Sequence, residues 1–254
     1  MKDRLIDIRT PSGEMESFIT HPSAGGPFPP VILYMDMWGV REELYDLARR
    51  IATVGYYCIV PDLYYRFGKY RNSFKDASGR MMSFTALPKE AQERQLSAMR
   101  RLSDQMAIDD TRTLLEFMDD GQPVKPGAVG SIGYCLGGRH VLCAAGAFPG
   151  RMRAGASLHG VELVTDAADS PHRLAQKGEG ELYCGHAEKD RFSSPEVILG
   201  LEQALKGTNL KYFHEIHKGA DHGYALPDRD VYDKHAANRD MELIFAMWRR
   251  QVPF

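Results

Sequence analysis

The segment Gly133-Tyr134-Cys135-Leu136-Gly137-Gly138 sets a thiol two residues after one glycine and two residues before another. A strand-like run, Ala128 to Ile132, precedes it and a helix-like stretch follows, the context of the sharp turn known as a nucleophile elbow. The flanking glycines let strand and helix approach without a Cβ clash. A thiol at a helix N-terminus meets free N–H groups and the positive end of the helix dipole, which favour thiolate over thiol. The chemistry of such a site is attack by Cys135 on an electrophilic carbon.

A cysteine nucleophile needs a base, and the base needs an orienting acid, each on a loop after a strand and in the order nucleophile, acid, histidine. After the strand-like Leu182 to Cys184 comes Gly185-His186-Ala187-Glu188-Lys189-Asp190, followed by Ser194-Pro195-Glu196 opening a helix. Asp190 is the expected acid, with Glu188 as its neighbouring competitor. After Leu210 to Ile216, the loop Gly219-Ala220-Asp221-His222-Gly223-Tyr224 supplies His222 as the base. An oxyanion hole takes the N–H that follows the nucleophile, Leu136, and a second N–H in the loop after an earlier strand. In Tyr34-Met35-Asp36-Met37-Trp38-Gly39 that donor is expected to be Met37, and His159 at a strand end is expected either to face the same pocket or to be a structural histidine.

Two rival constellations are weaker. The glycines at 130, 133, 137 and 138 lack the G-x-G-x-x-G spacing of a dinucleotide loop. His214 and His217 in a strand point to opposite faces and cannot share a metal ion.

The elements that must position these residues alternate along the chain. Strands are expected at Val31 to Tyr34, Tyr57 to Val60, Ala128 to Ile132, Ala154 to Leu158 and Leu182 to Cys184. Helices are expected at Glu42 to Val54, Asp104 to Asp119, Leu136 to Ala147, Pro195 to Lys206 and Val231 to Gln251. Arg4 to Arg9 and Glu14 to Thr20 flank the turn signal Pro11-Ser12-Gly13, so the sheet opens with an antiparallel hairpin. The pattern is α/β: a mainly parallel central sheet with helices on both faces, in one domain spanning residues 1–254. Gly68 to Ser103 breaks the rhythm. It is basic and Met-rich (Arg71, Lys75, Arg80, Met81, Met82), turns helical from Pro88, and reads as a surface insertion or a cap over the site.

Composition narrows the classes further. The 254 residues are 43% hydrophobic and 26% charged, and 32 Lys and Arg against 34 Asp and Glu give a net charge of -2. That balance offers no field for a phosphate backbone, so no nucleic-acid partner is expected. No apolar run approaches the ~20 residues of a membrane span, and the N-terminus has no apolar core of a leader, so the expected location is the cytoplasm. The four cysteines lack metal or redox spacing. On one helix, Cys135 and Cys143 stand about 12 Å apart, too far for a disulfide.

With these residues in view, the chain resembles the dienelactone hydrolase family of α/β-hydrolases along nearly its whole length. The likeness rests on Met35-Asp36-Met37-Trp38-Gly39-Val40, Pro61-Asp62-Leu63-Tyr64, the Cys135 elbow, Asp190 with Arg191-Phe192, and His222-Gly223-Tyr224. It implies a single α/β-hydrolase domain, no metal or organic cofactor, and cleavage of a small-molecule lactone or activated ester through a Cys135 acyl intermediate. By the same likeness Cys135 is nucleophile, His222 base and Asp190 its orienting acid. The family's glutamate that helps generate the thiolate is Asp36 here. Its substrate-binding arginine four residues after the histidine is Leu226, with Arg66 or Arg80 as substitutes and Tyr224 beside the base. Acyl transfer to a nucleophile other than water, or ligand binding without turnover, are the alternative readings. Monomer and homodimer both stay open.

Overall fold

The structure is a computed structural model that describes residues 1–68, 70 and 74–254. Arg71 of the basic stretch lies outside the described residues. In chain order the elements are β1 (Lys2–Thr10), β2 (Gly13–His21), β3 (Pro30–Tyr34), α1 (Glu42–Thr53), β4 (Tyr57–Pro61), α2 (Lys89–Arg101), α3 (Asp104–Asp119), β5 (Val129–Tyr134), α4 (Leu136–Ala147), β6 (Met152–Leu158), α5 (Pro171–Ala175), β7 (Gly180–Lys189), α6 (Pro195–Leu205), β8 (Leu210–Asp221) and α7 (Lys234–Gln251).

All eight strands join one sheet in the order β1-β2-β4-β3-β5-β6-β7-β8. The first two pairings are antiparallel and the rest parallel, so the expected hairpin leads into a parallel sheet. Every residue of β3, β4 and β5 is buried, as strands covered on both faces require. Two glycines show the covering layers. A β-carbon on Gly155 would stand 2.8 Å from Val141 of α4, whereas one on Gly130, the partner of Ala154, would stand 3.2 Å from Trp248 of α7. Residues 154 and 155 point to opposite faces, so α4 and α7 lie on opposite sides of the sheet.

Most element ends shift by a residue or more from the sequence reading, and two larger shifts have a visible cause. α7 begins at Lys234 rather than Val231, because the Asp233 carboxylate caps it by accepting from the N–H groups of His235 and Ala236. β7 runs on to Lys189 rather than stopping at Cys184, because the long β8 keeps pairing with it as far as Lys189 opposite Asp221.

β4 and β5 flank β3 on opposite sides, so the connections after β3 and β5 leave in opposite directions. Such a reversal opens a crevice at the C-terminal strand ends. Tyr34 pairs with Gly133 at that end, which sets the Met35–Gly39 loop beside Cys135.

The irregular stretch contributes α2 and a short 3-10 turn, Phe84–Ala86. It builds a small apolar cluster of its own, in which Met81 and Leu87 bury against Trp38, with Phe74, Met82 and Phe84 packed around them. The Gln95 side-chain amide donates to the Met37 carbonyl, as does the Tyr64 hydroxyl at 3.1 Å. The insertion is therefore anchored on the loop after β3.

Candidate active site

Cys135 caps α4 with φ 54° and ψ -112°, a backbone conformation costly for any residue with a β-carbon. Neighbouring hydrogen bonds over-determine it. Its N–H donates to the Leu158 carbonyl at 3.0 Å, and its carbonyl accepts from Gly138 at 3.1 Å and Val161 at 3.2 Å. The glycines are needed for contact distance. A β-carbon on Gly133 would lie 2.1 Å from the Gly137 carbonyl oxygen, and one on Gly137 would lie 2.4 Å from that of Tyr34. The backbone therefore packs where side chains cannot, and the thiol stands at the head of α4.

Asp190 and His222 arrive from the ends of β7 and β8. The His222 Nδ1–H donates to Asp190 Oδ2 at 2.7 Å, and Asp190 Oδ1 accepts the Phe192 N–H at 2.9 Å. Phe192 and His159 pack on the His222 ring with centroids at 5.4 and 5.0 Å. Burial works against a charge on His222, but the Cys135 sulfur and the Asp190 carboxylate outweigh it and push its pKa up to about 10. His159 is the reverse case. It is fully buried at φ 39°, both ring nitrogens lack hydrogen-bond partners among the described residues, and burial with the nearby His222 and Arg229 charges holds its pKa well below the usual range.

Leu136 is the first residue of α4, where the N–H groups have no helical acceptor. Met37 sits across the crevice with its carbonyl fixed by Gln95 and Tyr64.

Other expected residues are drawn into different work. Both Asp36 oxygens accept from Arg41, at 2.8 and 3.0 Å, and Oδ1 also accepts the Trp38 N–H at 3.0 Å. Arg41 in turn donates to Asp228 at 2.6 and 3.1 Å. Asp36 thus anchors its own loop to the 228–230 segment. Arg66 is not brought to the elbow. Its guanidinium is held by Asp110 through two 2.7 Å hydrogen bonds and lines a cavity with Pro11 and Ser12. Arg80 is exposed in a turn whose backbone closes on Asp76. Tyr224 is fully buried and donates to Asp240, and Leu226 is likewise buried. Cys58, Cys143 and Cys184 are buried free thiols, consistent with the distance argument.

Arg41, Asp228, Arg229 and Asp240 were not read from the sequence. No local motif marks any of them.

A cavity of about 560 Å³ opens beside the elbow, lined by Leu136, Val161 and Phe192 on one side and by Phe84, Leu96 and Met99 of the insertion on the other. Its walls offer an organic substrate both apolar and polar surface.

The family model for the dienelactone hydrolase family matches residues 15–251. The chain belongs to the dienelactone hydrolase family. Among relatives, the carboxymethylenebutenolidase of Rhodococcus opacus is 28% identical over 78% of this chain and 70% of its own length. A candidate carboxymethylenebutenolidase of Synechocystis sp. is 28% identical over 93% of this chain and 92% of its own. The crystal structure of a candidate dienelactone hydrolase from Klebsiella pneumoniae superposes with a TM-score of 0.82, at 21% identity and 98% coverage of both chains. That likeness carries the fold, so this dienelactone hydrolase family member has the α/β-hydrolase architecture expected from its sequence. Membership in the family makes it a hydrolase of ester or lactone bonds.

Proposed function

We propose that the protein cleaves a lactone or activated carboxylic ester through an acyl thioester on Cys135, with His222 as base and Asp190 orienting it. The observation that carries this reading is the series Asp190, His222 and Cys135 at the head of α4, with the His222 pKa raised by both partners.

The thiolate attacks the carbonyl carbon, and the N–H groups of Leu136 and Met37 stabilise the oxyanion. Collapse of the tetrahedral intermediate breaks the C–O bond, and the leaving alkoxide takes the proton from His222. His222 then accepts a proton from water as that water attacks the thioester, and the carboxylic acid leaves with the thiolate restored. Asp190 keeps the imidazole in one orientation throughout and stabilises its charged form. No step calls for a metal or organic cofactor. A thiol nucleophile suits a reducing, cytoplasmic setting.

Hydrolysis of p-nitrophenyl acetate, a simple lactone and a dienelactone carboxylate, by wild type and Cys135→Ala, tests the reading. An acyl adduct on Cys135 by mass spectrometry, with activity lost in the variant, supports it. Full activity in Cys135→Ala overturns it.

A further inference from the structure

Helix α2 carries two stripes toward the body of the molecule. Gln95 and Ala98 are buried on one, while Leu96 and Met99, three residues apart on the other, line the cavity of about 560 Å³ beside the elbow. Both are half-buried. Among the described residues, Leu96 joins neither the main core nor the small cluster around Trp38. Apolar surface that a fold leaves unpacked inside a cavity is surface that a ligand gains by covering.

The cavity is tied to the reacting groups on both sides. Leu136 lines it directly after Cys135 in the chain, the Val161 N–H donates to the Cys135 carbonyl at 3.2 Å, and Phe192 packs on the His222 ring with centroids 5.4 Å apart. Across from them, the Gln95 amide donates to the Met37 carbonyl. Consecutive residues of α2 therefore hold the loop of the second oxyanion donor and face the cavity. An ester seated at Cys135 has this space beside one of its limbs.

Charge does not mark the space for an ion. Three arginines and three carboxylates line it. Arg139 is held by Asp104 at 2.6 Å and Glu162 at 3.0 Å, and Arg191 is exposed with its guanidinium carbon 4.7 Å from the Phe192 ring. Arg100 and Asp169 are exposed as well. Every charge described along the wall is thus paired or in water, and what remains to be covered is apolar.

We propose that the cavity takes an apolar limb of the substrate, a chain or ring on the acyl or the alcohol side, and that Leu96 and Met99 are specificity-determining residues favouring longer esters over short ones. The proposal rests on the ester-hydrolase reading. A methylene moved from water to apolar surroundings is worth about fourfold in binding, so two seated methylenes give more than about tenfold.

Two substrate series test this. 4-Nitrophenyl acetate, butyrate and hexanoate vary the acyl side, and methyl, butyl and hexyl acetate vary the alcohol side. In wild type kcat/KM is expected to rise at least tenfold along one series, which assigns the limb, with most of the gain in KM. Leu96→Trp, which fills the cavity, is expected to lower the ratio of long-chain to short-chain kcat/KM at least tenfold, and Met99→Trp to lower it in the same direction. Rates independent of chain length in both series, or a ratio unchanged in Leu96→Trp, overturn the proposal. Hexanamide or N-hexylacetamide should inhibit wild type where acetamide does not. The same inhibition by all three, or none, overturns the proposal even if the variants fail to fold. The two readings fail separately. Hydrolysis at one rate along both series removes the apolar limb and leaves the esterase reading. Calorimetric binding of a long amide, abolished in Leu96→Trp, in a protein that hydrolyses none of the six esters does the opposite.

Discussion

The Tyr224 hydroxyl donates to Asp240 Oδ2 at 2.6 Å, tying the loop that carries the candidate base to the middle of α7. The same carboxylate accepts from Tyr183 and His217, each at 2.6 Å to Oδ1. Asp240 is fully buried, so these three donors are what keep its charge tolerable. Tyr224→Phe removes one of them and is expected to cost about 1–3 kcal/mol of stability. Because Tyr224 also packs on His159, which packs on His222, kcat should fall with little change in KM. Urea midpoints and steady-state kinetics on the one variant check both.

His222 should keep its proton through neutral pH and release it near 10. Since this value lies above the ordinary one of about 6.5, the stability that the proton contributes is fully present below pH ~6.5 and lost as pH rises through about 10. In Cys135→Ala the sulfur's raising influence is gone while burial still opposes protonation, so the His222 pKa should fall. Imidazole NMR titration reads this directly. A midpoint near 6.5 in both proteins contradicts the ion pair.

Gly137→Ala should be among the most destabilising substitutions in the chain. The new β-carbon would lie 2.4 and 2.6 Å from two backbone carbonyl oxygens, and backbone cannot swing aside as a flexible side chain can. A loss of more than about 3 kcal/mol, seen as a lowered urea midpoint or failure to fold, is expected.

Asp36→Asn separates anchoring from activation. It leaves Arg41 with one carboxylate instead of two and weakens the tie between the Met37 loop and Asp228. Stability and activity should fall together, by about 1–3 kcal/mol and several-fold. Loss of activity at unchanged stability points instead to a direct part in generating the thiolate.

Arrangements that depend on neighbouring residues were readable before any coordinates. Gly133, Cys135 and Gly137 announce the elbow because its sterics are local, and Pro11-Ser12-Gly13 announces the hairpin for the same reason. Asp190 and His222 followed from strand order, although they meet across 32 residues. Pairings between distant charges left no such trace. Arg66 and Arg80 looked available to a substrate, and only the fold shows that Asp110 claims the first and that a turn closing on Asp76 holds the second. α7 was expected three residues early because apolar periodicity does not say which carboxylate will cap a helix.

The cluster of Met81, Leu87 and Trp38 is separate from the main core and rests on three buried side chains. So small an apolar unit opens at a free-energy cost far below that of unfolding the sheet. Hydrogen exchange should therefore find the amides of residues 81–87 released in excursions that leave β3 and β5 protected. In those excursions the Met81 staple on the 228–230 segment comes undone, so the insertion and the segment that follows the candidate base loosen together.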